Sequence, residues 1–258
     1  MAPHDLLETL RAQNPLVHCI TNYVAMNVAA NVVLAAGASP AMVHAQEEIA
    51  EFTPICGALT INIGTLSAPW VTSMRTAAQA ANDAGVAWVL DPVAHFISAY
   101  RKGVAQDLLG LRPTILRGNA SEIMAMAGEA GAGKGADSGD SVDAAEGAAR
   151  ALAKSHGAVV AITGPVDFVT DGTQSAKVTG GSDIMPMVTA LGCSQTALMG
   201  AYAASGPAFD AALGALAHFK VAGTKAAKLA NGPGSFQMHF LDALNVTQPK
   251  ELAAVIQS

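Results

Sequence analysis

ALTINIGTLSAPWVTSMRTAAQAANDAGVAWVLDPV, Ala58 to Val93, is the stretch that decides the fold. It opens on a strand-sized apolar run, Ala58 to Ile63, breaks at Gly64, crosses a helix-compatible segment and returns to a second apolar run, Val86 to Leu90. A strand, a helical crossover and another strand form a βαβ unit, whose two strands lie parallel. The runs Thr114 to Leu116 and Ala158 to Ile162 repeat the theme. Because these runs are continuously apolar rather than alternating, each strand is expected to be covered on both faces. The expected fold class is therefore α/β, with a central, mostly parallel sheet and helices on both sides.

Further along, Val166 to Thr170 and Ser175 to Val178 flank Asp171-Gly172, which reads as a hairpin. From Gly192 onward the pattern is helical: Cys193 to Ala204, Pro207 to Leu229 and Gly234 to Leu244, with Gly232-Pro233-Gly234 as a break. Gly128 to Gly147 is rich in Gly, Ala and acids and reads as a loop leading into a helix. With no repeat and no linker, residues 1–258 are expected to form a single domain.

Composition narrows the function classes. Half of the 258 residues are hydrophobic and only 13% are charged, which excludes global disorder. A net charge of −6 argues against nucleic acid as a partner. The apolar runs fall short of the roughly 20 residues that cross a bilayer, so no membrane association is expected. The N-terminal stretch lacks the pattern of a secretory signal, which makes the cytoplasm the expected location. Three scattered cysteines, Cys19, Cys56 and Cys193, fit neither a disulfide framework nor a zinc site.

Ligands of an open α/β sheet collect beyond the carboxyl ends of its strands. Here those ends read INIGT at Ile61 to Thr65, LDPV at Leu90 to Val93, LRGNASE at Leu116 to Glu122 and AITG at Ala161 to Gly164. Taken singly, Asn62, Asp91 and Asn119 can be ordinary caps or turn formers. Taken together on parallel strands, they converge on one edge. VTALGCSQTALMGAY, Val188 to Tyr202, passes through a glycine-containing turn into a helix, whose free N–H groups make an anion site suited to a phosphoryl group. Cys193 stands at that helix start, where the dipole is expected to favour its thiolate.

Gly128 to Lys134 imitates a P-loop, but Gly135 occupies the position of the magnesium-binding Ser or Thr, and no strand precedes it. The histidines show no metal-ligand spacing, and His18 reads as a satisfied core or turn residue. Met124, Met126, Met185 and Met187 read as packing residues, as does Met42 from spacing alone.

Seven segments together resemble the hydroxyethylthiazole kinases, a ribokinase-like family. They are PLVHCITNYVAMNVAANVVLAAGASPAM (Pro15 to Met42), GALTINIGTL (Gly57 to Leu66), LDPVA (Leu90 to Ala94), RGNASEI (Arg117 to Ile123), AITGPVDFVTDG (Ala161 to Gly172), VTALGCSQTAL (Val188 to Leu198) and GPGSFQMHFLDAL (Gly232 to Leu244). The resemblance implies ATP-dependent phosphorylation of the hydroxyl of 4-methyl-5-(2-hydroxyethyl)thiazole with Mg2+, by a homotrimer whose active sites lie between subunits. It places Asn22, Met42, Gly64 and Ala190 against the thiazole and Arg117 and Thr163 on ATP. Asp91 and Glu122 are implied to organise magnesium, and Cys193 takes the position where related kinases carry a base aspartate.

Three departures from the family pattern are visible. Ala190 replaces a frequent glycine, adding a methyl to the turn before Cys193. Ala94-His95-Phe96-Ile97 replaces a glycine-rich stretch, which predicts a stiffer loop and a more apolar pocket rim. Gly135-Ala136-Asp137-Ser138 only approximates the usual element after RGN. Two other readings of the residues are a cysteine-dependent acyltransferase or hydrolase acting through Cys193, and a non-catalytic protein that binds thiazole or nucleotide.

Overall fold

A computed structural model describes residues 2–128 and 141–257. The strands are β1 (Leu16–Ile20), β2 (Ser39–Ala41), β3 (Ala58–Asn62), β4 (Ala87–Asp91), β5 (Ile115–Asn119), β6 (Val159–Thr163), β7 (Asp167–Thr170), β8 (Ser175–Val178) and β9 (Ile256–Gln257). The helices are α1 (Leu6–Gln13), α2 (Met26–Ala36), α3 (Ile49–Phe52), α4 (Ala68–Ala84), α5 (Ala99–Gly110), α6 (Ala120–Met126), α7 (Val142–His156), α8 (Leu191–Ala203), α9 (Ala208–Ala227), α10 (Pro233–Val246) and α11 (Pro249–Ala253).

Among the described residues these strands form one nine-stranded sheet in the order β2-β1-β3-β4-β5-β6-β7-β8-β9. Pairing is parallel from β2 through β6, then antiparallel through the β7–β8 hairpin to β9. Side chains alternate across the sheet, so its two faces bury different residues. Val17, Cys19, Val89, Ile115 and Ala161 face a core shared with α1, α2, α8, α9 and α10. Leu59, Ile61, Trp88, Leu90, Leu116 and Ile162 face a second core with α4, α5, α6 and α7. The expected two-sided α/β sandwich is thus present. Gly200 brings α8 close to the sheet: a Cβ there would collide with Thr60 Cγ2 on β3.

The strands depart from expectation at their ends. The expected runs stop at the last apolar residue, whereas β4 and β5 continue through Asp91 and Asn119. Register keeps these polar residues in the ladder, since Asn62 pairs with Asp91 and Asn119 with Thr163. β1 was not legible as a strand because His18 and Cys19 interrupt its apolar run. His18 proves to be a satisfied core residue, paired with Thr53 Oγ1 at 3.1 Å and Val43 O at 2.8 Å. β2 contains Pro40, tolerated because this strand lies at the sheet edge. Met187, expected to pack, is instead 65% exposed. The P-loop imitation beyond Gly128 and the Gly135–Ser138 segment lie outside the described residues. Among the described residues, no helix is long and apolar enough to cross a membrane.

Candidate active site

The strand order reverses at β1, which has β2 on one side and β3 on the other. Such a switch point opens a crevice beyond the carboxyl ends of the strands. Asn22 follows β1 and Asn62 ends β3, and Asn22 Nδ2 donates to Asn62 Oδ1 across the crevice at 2.8 Å. The Gly64 amide donates to the same oxygen at 2.9 Å. A Cβ on Gly64 would lie 2.6 Å from Asn22 Nδ2, so glycine is required for this approach.

Asn62 Nδ2 then donates to Asp91 Oδ2 at 2.7 Å, where Thr196 Oγ1 also donates at 2.6 Å and Arg117 Nη1 lies at 3.3 Å. Arg117 Nη2 continues the chain to Thr163 Oγ1 at 2.8 Å and Gln195 Oε1 at 3.1 Å. Four adjacent strands, β3 to β6, and α8 therefore hold one connected polar network, and Asp91 and Arg117 are both buried. Burial pushes the Asp91 carboxyl above its ordinary value, opposed by Arg117 and by the Thr196 and Asn62 donors.

Glu122 lies in the first turn of α6. Its Oε2 accepts the Asn119 amide at 2.8 Å, closing a capping box, and its Oε1 accepts the Ala94 amide at 2.9 Å. Burial, then the neighbouring Asp91 charge, push its carboxyl up to about 7. Asp91 Oδ1 is buried without a hydrogen-bond partner. An orphaned carboxylate oxygen beside a second carboxylate is the hard donor chemistry that magnesium takes, with water and phosphate oxygens filling the rest of its shell. Asp91 and Glu122 fit such an ion. Among the described residues, no group of three His, Cys, Asp or Glu side chains offers a closed cage.

α8 begins at the same edge. Ser194 N donates to Ala190 O at 2.9 Å, which leaves the Gly192 and Cys193 amides in the open first turn. Ala190 adopts the left-handed conformation, φ 60° and ψ 8°, which brings the chain into the helix at this angle. Cys193 Sγ accepts from Asn22 Nδ2 at 3.4 Å. The thiolate expected from the helix dipole is overturned: burial and the Asp91 charge push the Cys193 thiol up to about 11. Desolvation outweighs a half-charge dipole here.

Asn22, Gly64, Asp91, Arg117, Thr163 and Cys193 are thus joined in one cluster, with Glu122 and Ala190 at its margin. Met42 stands apart, half-buried just beyond β2, its carbonyl accepting from His44 Nδ1 at 3.0 Å. Thr196, Gln195, Arg101 and Lys220 were missed. Arg101, on α5, donates from Nη1 to Gly64 O at 3.0 Å, from Nη2 to Ile63 O at 2.7 Å and to Val93 O, and from Nε to Ala94 O at 3.2 Å. Only the position of Lys220 within a long apolar helix carried a signal. It lines, with Thr163, Asp167, Gly192 and Gln195, a cavity of about 410 Å3 beside Arg117. A shallow depression of about 880 Å3 between α4 and α5 is larger, but Arg75, Asp83 and Asp107 line it away from the strand ends.

Known proteins resemble this chain along nearly its whole length. Residues 7–249 match the hydroxyethylthiazole kinase family. The hydroxyethylthiazole kinase of Roseobacter denitrificans is 77% identical over 257 residues, covering 100% of both chains. A solved hydroxyethylthiazole kinase structure from Pyrococcus horikoshii OT3 superposes with a TM-score of 0.91 at 36% identity, covering 99% of this chain and 97% of that one. A ribokinase-like superfamily protein from Enterococcus faecalis V583 shares the fold alone, with a TM-score of 0.67 at 11% identity and 93% coverage of each. With the strand-end residues and the α8 turn in place along this full-length likeness, the chain belongs to the hydroxyethylthiazole kinase family.

Proposed function

We propose that residues 1–258 act as one ribokinase-like kinase domain that transfers the γ-phosphoryl group of ATP to the hydroxyl of 4-methyl-5-(2-hydroxyethyl)thiazole in thiamine biosynthesis. The observation that carries this reading is the polar network from Asn22 to Thr163, which runs along the carboxyl ends of the strands and faces the open first turn of α8. Phosphoryl transfer through a loose transition state asks chiefly for positioning and charge neutralisation. Arg117 and Thr163 hold the phosphate chain, while the Gly192 and Cys193 amides receive the migrating group. Asn22, Gly64 and Ala190 border the thiazole, and Met42, which stands apart from them within one chain, would reach it from a neighbouring subunit. Mg2+, held by Asp91 and Glu122 together with water and phosphate, would neutralise charge on the phosphates.

As the alcohol oxygen bonds to the γ-phosphorus, the bridging oxygen leaves with ADP. Cys193, held as a thiol, takes the hydroxyl proton late while its own S–H proton passes to an oxygen of the transferring phosphoryl group, rather than ionising the alcohol beforehand. The same raised thiol pKa removes support from an acyltransferase, which needs a thiolate at neutral pH.

A homotrimer with intersubunit active sites is the assembly we favour. Tyr23, Val24, Ile97 and Tyr100 are exposed apolar residues on segments following β1 and β4, where a neighbouring subunit can cover them. The cytoplasm, where ATP is held, is the setting this reading requires.

The test incubates the protein with Mg2+, ATP and the thiazole alcohol and looks for the phosphate ester by mass spectrometry. Ester formation supports the reading. Ligand-induced thermal stabilisation without ester would favour a binding protein instead.

A further inference from the structure

Lys220 lies two-thirds of the way along α9 and is only 6% exposed. Its Nζ donates to Gly164 O at 2.6 Å and Pro165 O at 2.9 Å, and lies 3.3 Å from Asp167 Oδ1. Asp167 Oδ1 also accepts the Gly164 amide at 2.9 Å. A single ammonium thus closes the turn between β6 and β7 with two carbonyls and a carboxylate. The Lys220 carbonyl accepts the Gly181 amide at 3.2 Å, so this residue ties two walls of the 410 Å3 cavity together. Thr163, which receives Arg117 Nη2, immediately precedes the clamped turn.

Packing alone does not explain a buried charge pair here. A buried ion pair is often matched or exceeded in stability by apolar residues of similar volume. The pair is also incomplete, because Asp167 Oδ2 is buried without a partner on the cavity side of the sheet. An apolar leucine could pack beside Met185, which borders the same cavity, yet it could not hold three oxygens.

We infer that Lys220 is a positioning residue for the nucleotide: its ammonium clamps the Gly164–Asp167 turn so that Thr163 and its Arg117 contact meet the phosphate chain, and ATP affinity depends on it. The inference rests on the reading of Thr163 and Arg117 as nucleotide contacts. Its effect should appear on one substrate only, since Asn22 and Gly64 lie at the other end of the network.

The test compares full-length wild type, Lys220→Ala, the charge-free double variant Lys220→Met with Asp167→Asn, and Thr163→Ala, each checked for folding by circular dichroism. Lys220→Ala is expected to raise KM for ATP at least about tenfold and to leave KM for the thiazole within about twofold. Added propylammonium, filling the space left by the side chain, should restore part of the ATP affinity. Should Lys220→Ala fail to fold, the double variant leaves no unpaired buried charge and should show the same rise. Unchanged KM for ATP in either folded variant, or equal rises in both KM values, would overturn the inference. Thr163→Ala separates the two readings: if it leaves KM for ATP unchanged, the nucleotide role of Thr163 fails and the positioning route with it. If Thr163→Ala raises KM for ATP and the Lys220 variants do not, only the role of Lys220 falls.

Discussion

The backbone amide of Ala94 donates to Glu122 Oε1 at 2.9 Å, while the carbonyl of the same residue accepts Arg101 Nε at 3.2 Å. Ala94 is thus gripped from both sides in the left-handed conformation, φ 48°, and the next three residues form a 3-10 turn. Glu122 and Arg101 lie on different helices, so the loop couples the Glu122 end of the site to the Gly64 end.

Glu122 should give a measurable pH signature. Its folded-state carboxyl, near 7 against an ordinary 4.5, keeps a proton that the unfolded chain has released across that window. Its contribution to stability therefore falls as pH rises from about 4.5 to 7. His18 and His218, both pushed down to about 4, act in the opposite sense over much of the same range, so the whole stability curve is not diagnostic. Comparison with Glu122→Gln is. The variant is less stable at low pH because its amide group faces a backbone donor, and the gap should narrow by about 3 kcal/mol as pH rises. Urea unfolding at several pH values measures it, and a flat or widening gap contradicts the burial of this charge.

How far the site could be read beforehand depended on the kind of element carrying each residue. Asn62, Asp91 and Thr163 were legible because a polar residue at the end of a buried parallel strand has only one edge to face. Lys220, Arg101, Gln195 and Thr196 sit on helices, where a lone polar residue can face solvent or core. Only packing against the sheet selects their partners. The Cys193 thiolate was misread because a helix start is visible in sequence, whereas its burial beside Asp91 is not.

Arg101 makes a prediction of opposite specificity to that for Lys220. Arg101→Met removes the donors that join Ile63, Gly64, Val93 and Ala94, and should cost about 2–3 kcal/mol of stability. KM for the thiazole should rise more than KM for ATP, because Gly64 touches Asn22. Arg101→Lys should recover little, since one ammonium cannot span four carbonyls on two segments. Steady-state kinetics on both substrates decide it, and a preferential loss of ATP affinity would contradict the assignment.

Cys193 is expected to tolerate replacement. A thiol pushed up to about 11 contributes little as a pre-formed base, so Cys193→Ser should keep kcat within about tenfold. Cys193→Asp should also retain phosphorylation, because a carboxylate can accept the late proton. Covalent thiol chemistry would lose nearly all turnover in both variants. Ester formation followed over time distinguishes the outcomes.

Ala190 holds the turn before α8 in a backbone region that alanine enters at a cost of about 1 kcal/mol. Glycine enters it freely but carries more entropy in the unfolded chain, which offsets part of the gain. At a positive φ the strain outweighs that entropy, so Ala190→Gly should stabilise the protein by about 0.5–1 kcal/mol, or about 1–3 °C in Tm for a chain of this size. The opposing effect is local: the Ala190 methyl is half-buried against the core shared with α8. A fall in Tm would show that this packing, rather than backbone strain, governs the position. A rise would mean that the open first turn of α8, with its Gly192 and Cys193 amides, is held in place against strain in the native chain.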